Sequence, residues 1–114
     1  MESILSTIKK LLGISETYTH FDQDIRIHIN TVFGALTQIG IGPKEGFYIE
    51  DASTVWYDYT DSTNLEMIKT YIYLKVRLMF DPPASSVLLE SINNTIKELE
   101  FRLLLEGEKP NSNA

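Results

Sequence analysis

The sequence predicts an all-α fold: a small bundle of four main helices, with an irregular, aromatic-rich segment between the second and the third. Three observations carry this. Apolar residues recur at spacings of three and four in four separate stretches, which is the period of a helix and not of a strand. Glycine and proline punctuate those stretches, at Gly13, Gly40-Ile41-Gly42-Pro43, Asp81-Pro82-Pro83 and Gly107. With 114 residues, 43% of them hydrophobic and 23% charged, the chain has the composition of one ordinary globular domain.

The first helix is expected over residues 3–12, where Ile4, Leu5, Ile8, Leu11 and Leu12 share a face. Gly13 stands where a C-terminal cap belongs, and Lys9 and Lys10 favour that end of the helix dipole. A helix so short is marginal alone and must dock on something. Its own domain or a neighbouring copy fits better than a membrane surface, because its polar face is weakly basic and the whole chain is acidic.

A second helix is expected from about His20 to Ile39, with Thr19 or Asp22 placed to cap it and Asp22 four residues before Arg26. Ile25, Ile29, Val32, Phe33, Leu36 and Ile39 form its stripe. Gly40 stops it, and Gly42-Pro43 prevents its resumption. Residues 42–63 then lose all periodicity. They carry Glu45, Glu50, Asp51, Asp58 and Asp61 against Lys44, together with Phe47, Tyr48, Trp56, Tyr57 and Tyr59. Ser53 is placed to cap a one-turn helix through Trp56, and a short extended piece at Phe47-Tyr48-Ile49 is an equal alternative.

The third helix, from about Asn64 to Phe80, has the broadest apolar surface. Leu65, Ile68, Ile72, Val76 and Met79 make one stripe, widened by Tyr71, Leu74 and Leu78. Such coverage predicts a central, heavily buried element. Asp81-Pro82-Pro83 ends it, since proline lacks the next donor and restricts its predecessor. The last helix is expected from about Ser85 to Leu105, with Leu88, Leu89, Ile92, Ile96, Leu99 and Leu103 inward and Glu98 paired with Arg102. Residues 1–107 therefore read as one domain, in which the first helix is a potentially detachable element, and residues 108–114 as a flexible polar tail.

The same residues exclude several functions. Cysteine is absent, which removes disulfides, thiolate metal sites and thiol nucleophiles. His20 and His28 lie eight apart with no companion, so no metal site is written, and the acidic residues of 50–61 lack the alternation and glycine of a calcium loop. No serine has a nucleophile-elbow context, and Gly40-Ile41-Gly42-Pro43 is too short for a phosphate loop. A net charge of −6 opposes a dedicated nucleic-acid surface. Neither a signal peptide nor a membrane span is recognisable, so a soluble, cytoplasmic protein is expected. The reading that survives is a protein-binding protein, with no enzymatic activity, no cofactor and no metal. Its most suggestive feature is Phe47, Tyr48, Trp56, Tyr57 and Tyr59: an interface for another chain, or a cap on the open end of the bundle.

Phe21 to Arg102 resembles the small helical head–tail connector proteins, or adaptors, of long-tailed bacteriophages and prophages. The telling stretch is Lys69 to Pro83, KTYIYLKVRLMFDPP, supported by Gln38 to Pro43, QIGIGP, and by Ile96 to Arg102, IKELEFR. The order of elements fits as well. The resemblance implies a structural virion protein that forms a ring of about twelve copies under the portal. It implies portal protein and the next neck protein as partners, and DNA passing through the channel without sequence-specific binding. It also implies a place in the virion neck after assembly and in the host bacterial cytoplasm before it. The alternative is a regulatory or scaffold module that takes one partner helix in a groove.

Overall fold

The structure is a computed structural model and describes residues 2–60 and 63–108. It is helical throughout: α1 (Ile4–Leu11), α2 (Asp22–Gln38), α3 (Trp56–Tyr59), α4 (Leu65–Phe80) and α5 (Ser86–Glu108). Between α2 and α4 lies the expected irregular segment, with α3 as a single turn inside it. Among the described residues the only strand-like pairing is one antiparallel bridge between Ser3 and Val55.

α4 is central. It packs against α1, α2 and α5, whereas α2 and α5 flank it and leave a trough between them. Ile68, Tyr71, Ile72, Leu74 and Val76 are buried, which agrees with the breadth of its apolar surface. Met79 departs from the expected stripe and is exposed, at the rim of a cavity it shares with Thr31, Val32 and Ala35 of α2. On α2 the expected residues Ile25, Ile29, Val32, Phe33 and Leu36 all enter the core.

The helix ends obey local chemistry. Ser3 Oγ accepts from the Ser6 amide and starts α1. At its other end the amides of Gly13 and Ile14 bond to the carbonyls of Lys10 and Lys9, with Gly13 at φ +83°. That is a Schellman stop, which needs a residue at ease in the left-handed region. Gly40 and Ile41 repeat it on Thr37 and Leu36. α4 ends at Asp81-Pro82-Pro83 as expected, and Ser85 Oγ, accepting from the Leu88 amide, opens α5. Gly107 does not stop α5, which runs on to Glu108: one glycine disfavours a helix without supplying the turn that ends it. Residues 109–114, most of the expected tail, lie outside the described residues.

α1 docks on its own domain. Ile4, Leu5 and Ile8 are buried, and the buried Lys9 ammonium lies 2.8 Å from Asp22 Oδ1 and donates to the Glu16 carbonyl at 3.1 Å. Asp22 thus serves α1 in place of the expected Arg26 pairing. The irregular segment is tied down twice. The Asn30 side chain clamps the Ile49 backbone, donating to its carbonyl at 2.9 Å and accepting from its amide at 2.7 Å. At the other end the Ile4 amide donates to the Thr54 carbonyl and the Trp56 amide to the Glu2 carbonyl, both from the entry to α1.

Candidate protein interface

The five aromatic residues of the irregular segment divide by local periodicity. Phe47, Tyr48 and Ile49 lie outside any helix or strand, and their exposure alternates: Phe47 half-buried, Tyr48 66% exposed, Ile49 buried. In α3 the helical period puts Trp56 and Tyr59 on one face and Tyr57 on the other. Trp56 is 3% exposed and donates through Nε1 to Thr7 Oγ1 of α1 at 2.8 Å. Tyr59 packs on Phe33 and Phe47 with ring centroids 4.6 and 5.0 Å apart. Ser53 caps nothing here: its amide and hydroxyl bond Asp51, holding that carboxyl below its usual range, while Asp58 closes the turn of α3 by accepting from the Val55 amide. Phe47, Trp56 and Tyr59 therefore close the bundle from within, and Tyr48 and Tyr57, the latter 61% exposed, are the two that face solvent.

Tyr59 has a feature of its own. Its ring lies against the backbone of Gly42, where an added Cβ would stand 2.6 Å from the ring, and Gly42 holds φ +84°. Its hydroxyl is buried with no hydrogen-bond partner among the described residues, and burial pushes its ionisation well above the usual tyrosine range. An unsatisfied buried hydroxyl costs about 1–3 kcal/mol. Tyr59→Phe is therefore expected to match or exceed the parent stability, by about 1 kcal/mol, in urea unfolding. A raised tyrosine pKa means the native state keeps a proton the unfolded chain loses above about pH 10, so stability falls as pH rises there. Tyr59→Phe should show a shallower alkaline loss.

Two further surfaces were not marked by the sequence reading. The first is the outer side of α5. Ile92, Ile96 and Leu103 face α4, and Tyr71 Oη donates to Glu100 at 2.8 Å to fix the packing. At 3.6 residues per turn, Phe101 lies about 140° round the helix from Ile96, and Leu105 about 160° from Leu103. These two are 62% and 46% exposed and with Leu104 form an apolar ridge, whose Phe101 and Leu104 border the trough shared with Ala35 and Gln38 of α2 and with Ile39. Leu88, expected inward, is exposed too. The second surface is the outer side of α2, where Ile27, Thr31, Gly34 and Gln38 are exposed and Ala35 half-buried. From Ile27 to Pro43 the chain has no Asp, Glu, Lys or Arg, a signal that was available in the sequence. Beside this face a cavity of about 280 Å³ is lined by Thr31, Val32, Ala35, Lys75, Leu78 and Met79.

The two histidines sit at an aromatic corner. His20 meets Phe21 edge-on at 4.7 Å, and Phe80 packs against both Phe21 and His28. Among the described residues no group of three His, Cys, Asp or Glu side chains is arranged to hold a metal ion, and no helix is long and apolar enough to cross a membrane. Compared with known proteins, the chain matches one family model, described as "Phage connector protein", over residues 4–110, a span that takes in α1. No curated protein and no solved structure matches it.

Proposed function

The chain belongs to the phage connector protein family, and on that premise we propose that it is a head–tail adaptor: a structural subunit that assembles into a ring of about twelve copies beneath the portal and extends the DNA channel. The family match over 4–110 is the observation that carries the reading. Its partners are the portal above and the next neck protein below. It works in the virion neck and waits in the host cytoplasm before assembly, and it acts by contact and not by catalysis.

The surface chemistry supports this. A subunit joined to several neighbours needs several separate patches, and exposed large apolar groups stand on the irregular segment and on α5, with single ones at Leu11, Tyr18, Ile27 and Met79. Tyr48 and Tyr57 are the members of the aromatic group available to portal or neck protein, since Phe47, Trp56 and Tyr59 are engaged inside the subunit. A net charge of −6 suits a channel wall along which DNA slides, because like charge disfavours phosphate contacts.

The test is assembly on purified portal, followed by electron microscopy and light scattering. Tyr48→Ser with Tyr57→Ser should leave unfolding stability within about 0.5 kcal/mol of the parent, as exposed substitutions do, and should weaken portal or neck attachment at least tenfold. Normal attachment would remove the aromatic loop from the interface. A compact one-to-one complex with a single helical partner, and no ring on portal, would favour a scaffold module that uses the cavity between α2 and α4 as its groove.

A further inference from the structure

We infer that α1 is exchanged between copies: in the assembled ring each chain lays its α1 on the seat of the next copy, swinging about Tyr18–His20. This rests on the adaptor reading, which requires copies to meet, and it names the element that joins them.

The seat is specific to this helix. α1 brings to it an apolar face, Ile4, Leu5 and Ile8, and two polar groups that each need one partner. The Lys9 ammonium, its side chain 3% exposed, lies 2.8 Å from the Asp22 carboxylate. The Thr7 hydroxyl accepts from the Trp56 indole at 2.8 Å. A buried ammonium deprived of its anion is strongly destabilising. A helix of eight residues does not hold together in water by itself. α1 therefore lies on a seat that carries Asp22 and Trp56, and such a seat exists on its own copy and on every other copy of this chain.

The chain beside α1 divides at a hinge. Up to Tyr18 the bonds run back toward α1: the Ile14 amide to the Lys9 carbonyl, the Lys9 ammonium to the Glu16 carbonyl, and the Thr17 and Tyr18 amides to Ser15. After it they run forward, the Asp22 amide donating to the Thr19 carbonyl at the entry to α2. Residues 15–20 are exposed. Tyr18 touches His20 and Phe21 through its ring, with centroids 6.1 and 5.9 Å apart. α1 and the residues up to Tyr18 can thus turn as one body with their own bonds intact.

Exchange suits a ring. A chain that gives its α1 forward and receives another from behind makes a heterologous contact, which repeats from copy to copy and closes. It reuses a contact already complete within the subunit, so the joint needs no large apolar surface on the free chain. The exposed apolar residues, single or in small groups, agree with this. Reach sets the geometry. From Thr17 to Phe21 the extended chain covers at most about 14 Å, so neighbours meet on the α1 side of the domain. In the free chain α1 fills its own seat, and copies stay apart until a template brings a second seat within reach.

The absence of cysteine makes the test clean. Ser3 and Val55 stand opposite each other in the antiparallel bridge, flanked by the bonds of the Ile4 and Trp56 amides, a spacing that suits a disulfide. Ser3→Cys and Val55→Cys are made in separate chains, mixed, assembled on purified portal and oxidised with diamide. Mass spectrometry should find the heterodimer at least tenfold above that from Ser3→Cys mixed with Val87→Cys, a position 77% exposed on α5. Both changes placed in one chain and oxidised before assembly should lock α1 on its own seat and abolish rings, and reduction should restore them. A heterodimer no more abundant than the control, or rings built from the locked chain, would overturn the exchange. If the parent protein forms rings in that same experiment, the adaptor reading stands without it. If the parent gives no ring on portal, while the two separate variants link to each other when concentrated alone, the exchange stands and the adaptor reading falls.

Discussion

Ile72→Asp is expected to yield no folded protein at neutral pH. Ile72 is fully buried at the middle of α4, the helix on which α1, α2 and α5 all rest. The buried cation Lys9 is already engaged by Asp22, and the cluster to which Ile72 belongs is made of isoleucine, leucine, valine and aromatic groups, so a carboxylate placed there is left unpaired. Leaving such a charge unpaired costs several kcal/mol even after it is driven toward its neutral form. A domain of this size has about 5–15 kcal/mol in total. Ile72→Ala provides the comparison: loss of the side chain without the charge should cost about 2–5 kcal/mol and leave a folded, weakened domain. Circular dichroism with urea unfolding separates the two. A folded Ile72→Asp protein with native helicity would mean that α4 is not the centre of the bundle.

The central role of α4 was legible because it rests on periodicity, and so were the ends of α1 and α2, because a glycine after the last apolar residue specifies a stop through its own backbone. What was not legible depends on partners distant in sequence. Asn30 clamps Ile49 nineteen residues away, and Trp56 reaches Thr7 across forty-nine. Nothing in the local pattern of 42–60 foretells either bond, so the segment reads as loose when it is pinned at both ends. The aromatic group divides for the same reason. Composition marks Tyr48 and Trp56 alike, and only the clamp of Asn30 on Ile49 beside Tyr48 and the period of α3 separate the one left exposed from the one buried. On α5 the residues that face α4 follow the helical period, whereas Phe101, Leu104 and Leu105 form a second apolar group that a single-stripe reading of a bundle helix passes over.

Trp56→Ala is expected to cost about 3–5 kcal/mol, the loss typical of a large buried aromatic residue replaced by alanine. Its indole is 3% exposed, and its Nε1 supplies the hydrogen bond to Thr7 Oγ1, which in turn donates to the Ser3 carbonyl at the start of α1. The Lys69 ammonium also lies 5.5 Å from the ring centroid. Removing the ring thus unties α3 from α1 while opening a cavity beneath both. The damage should be local before it is global. Amide exchange in residues 4–11 should quicken more than in α2, whose own stripe on α4 is untouched. Thr7→Val, which removes the acceptor but keeps the volume, should reproduce part of the loss, about 1–2 kcal/mol, because it strands the indole N–H without emptying the site. The competing outcome is specific. If Trp56→Ala melts like the parent and yet fails to assemble, the indole serves a neighbouring molecule and α1 is held by Ile4, Leu5 and Ile8 alone. Equal stability with normal assembly would deny it either role.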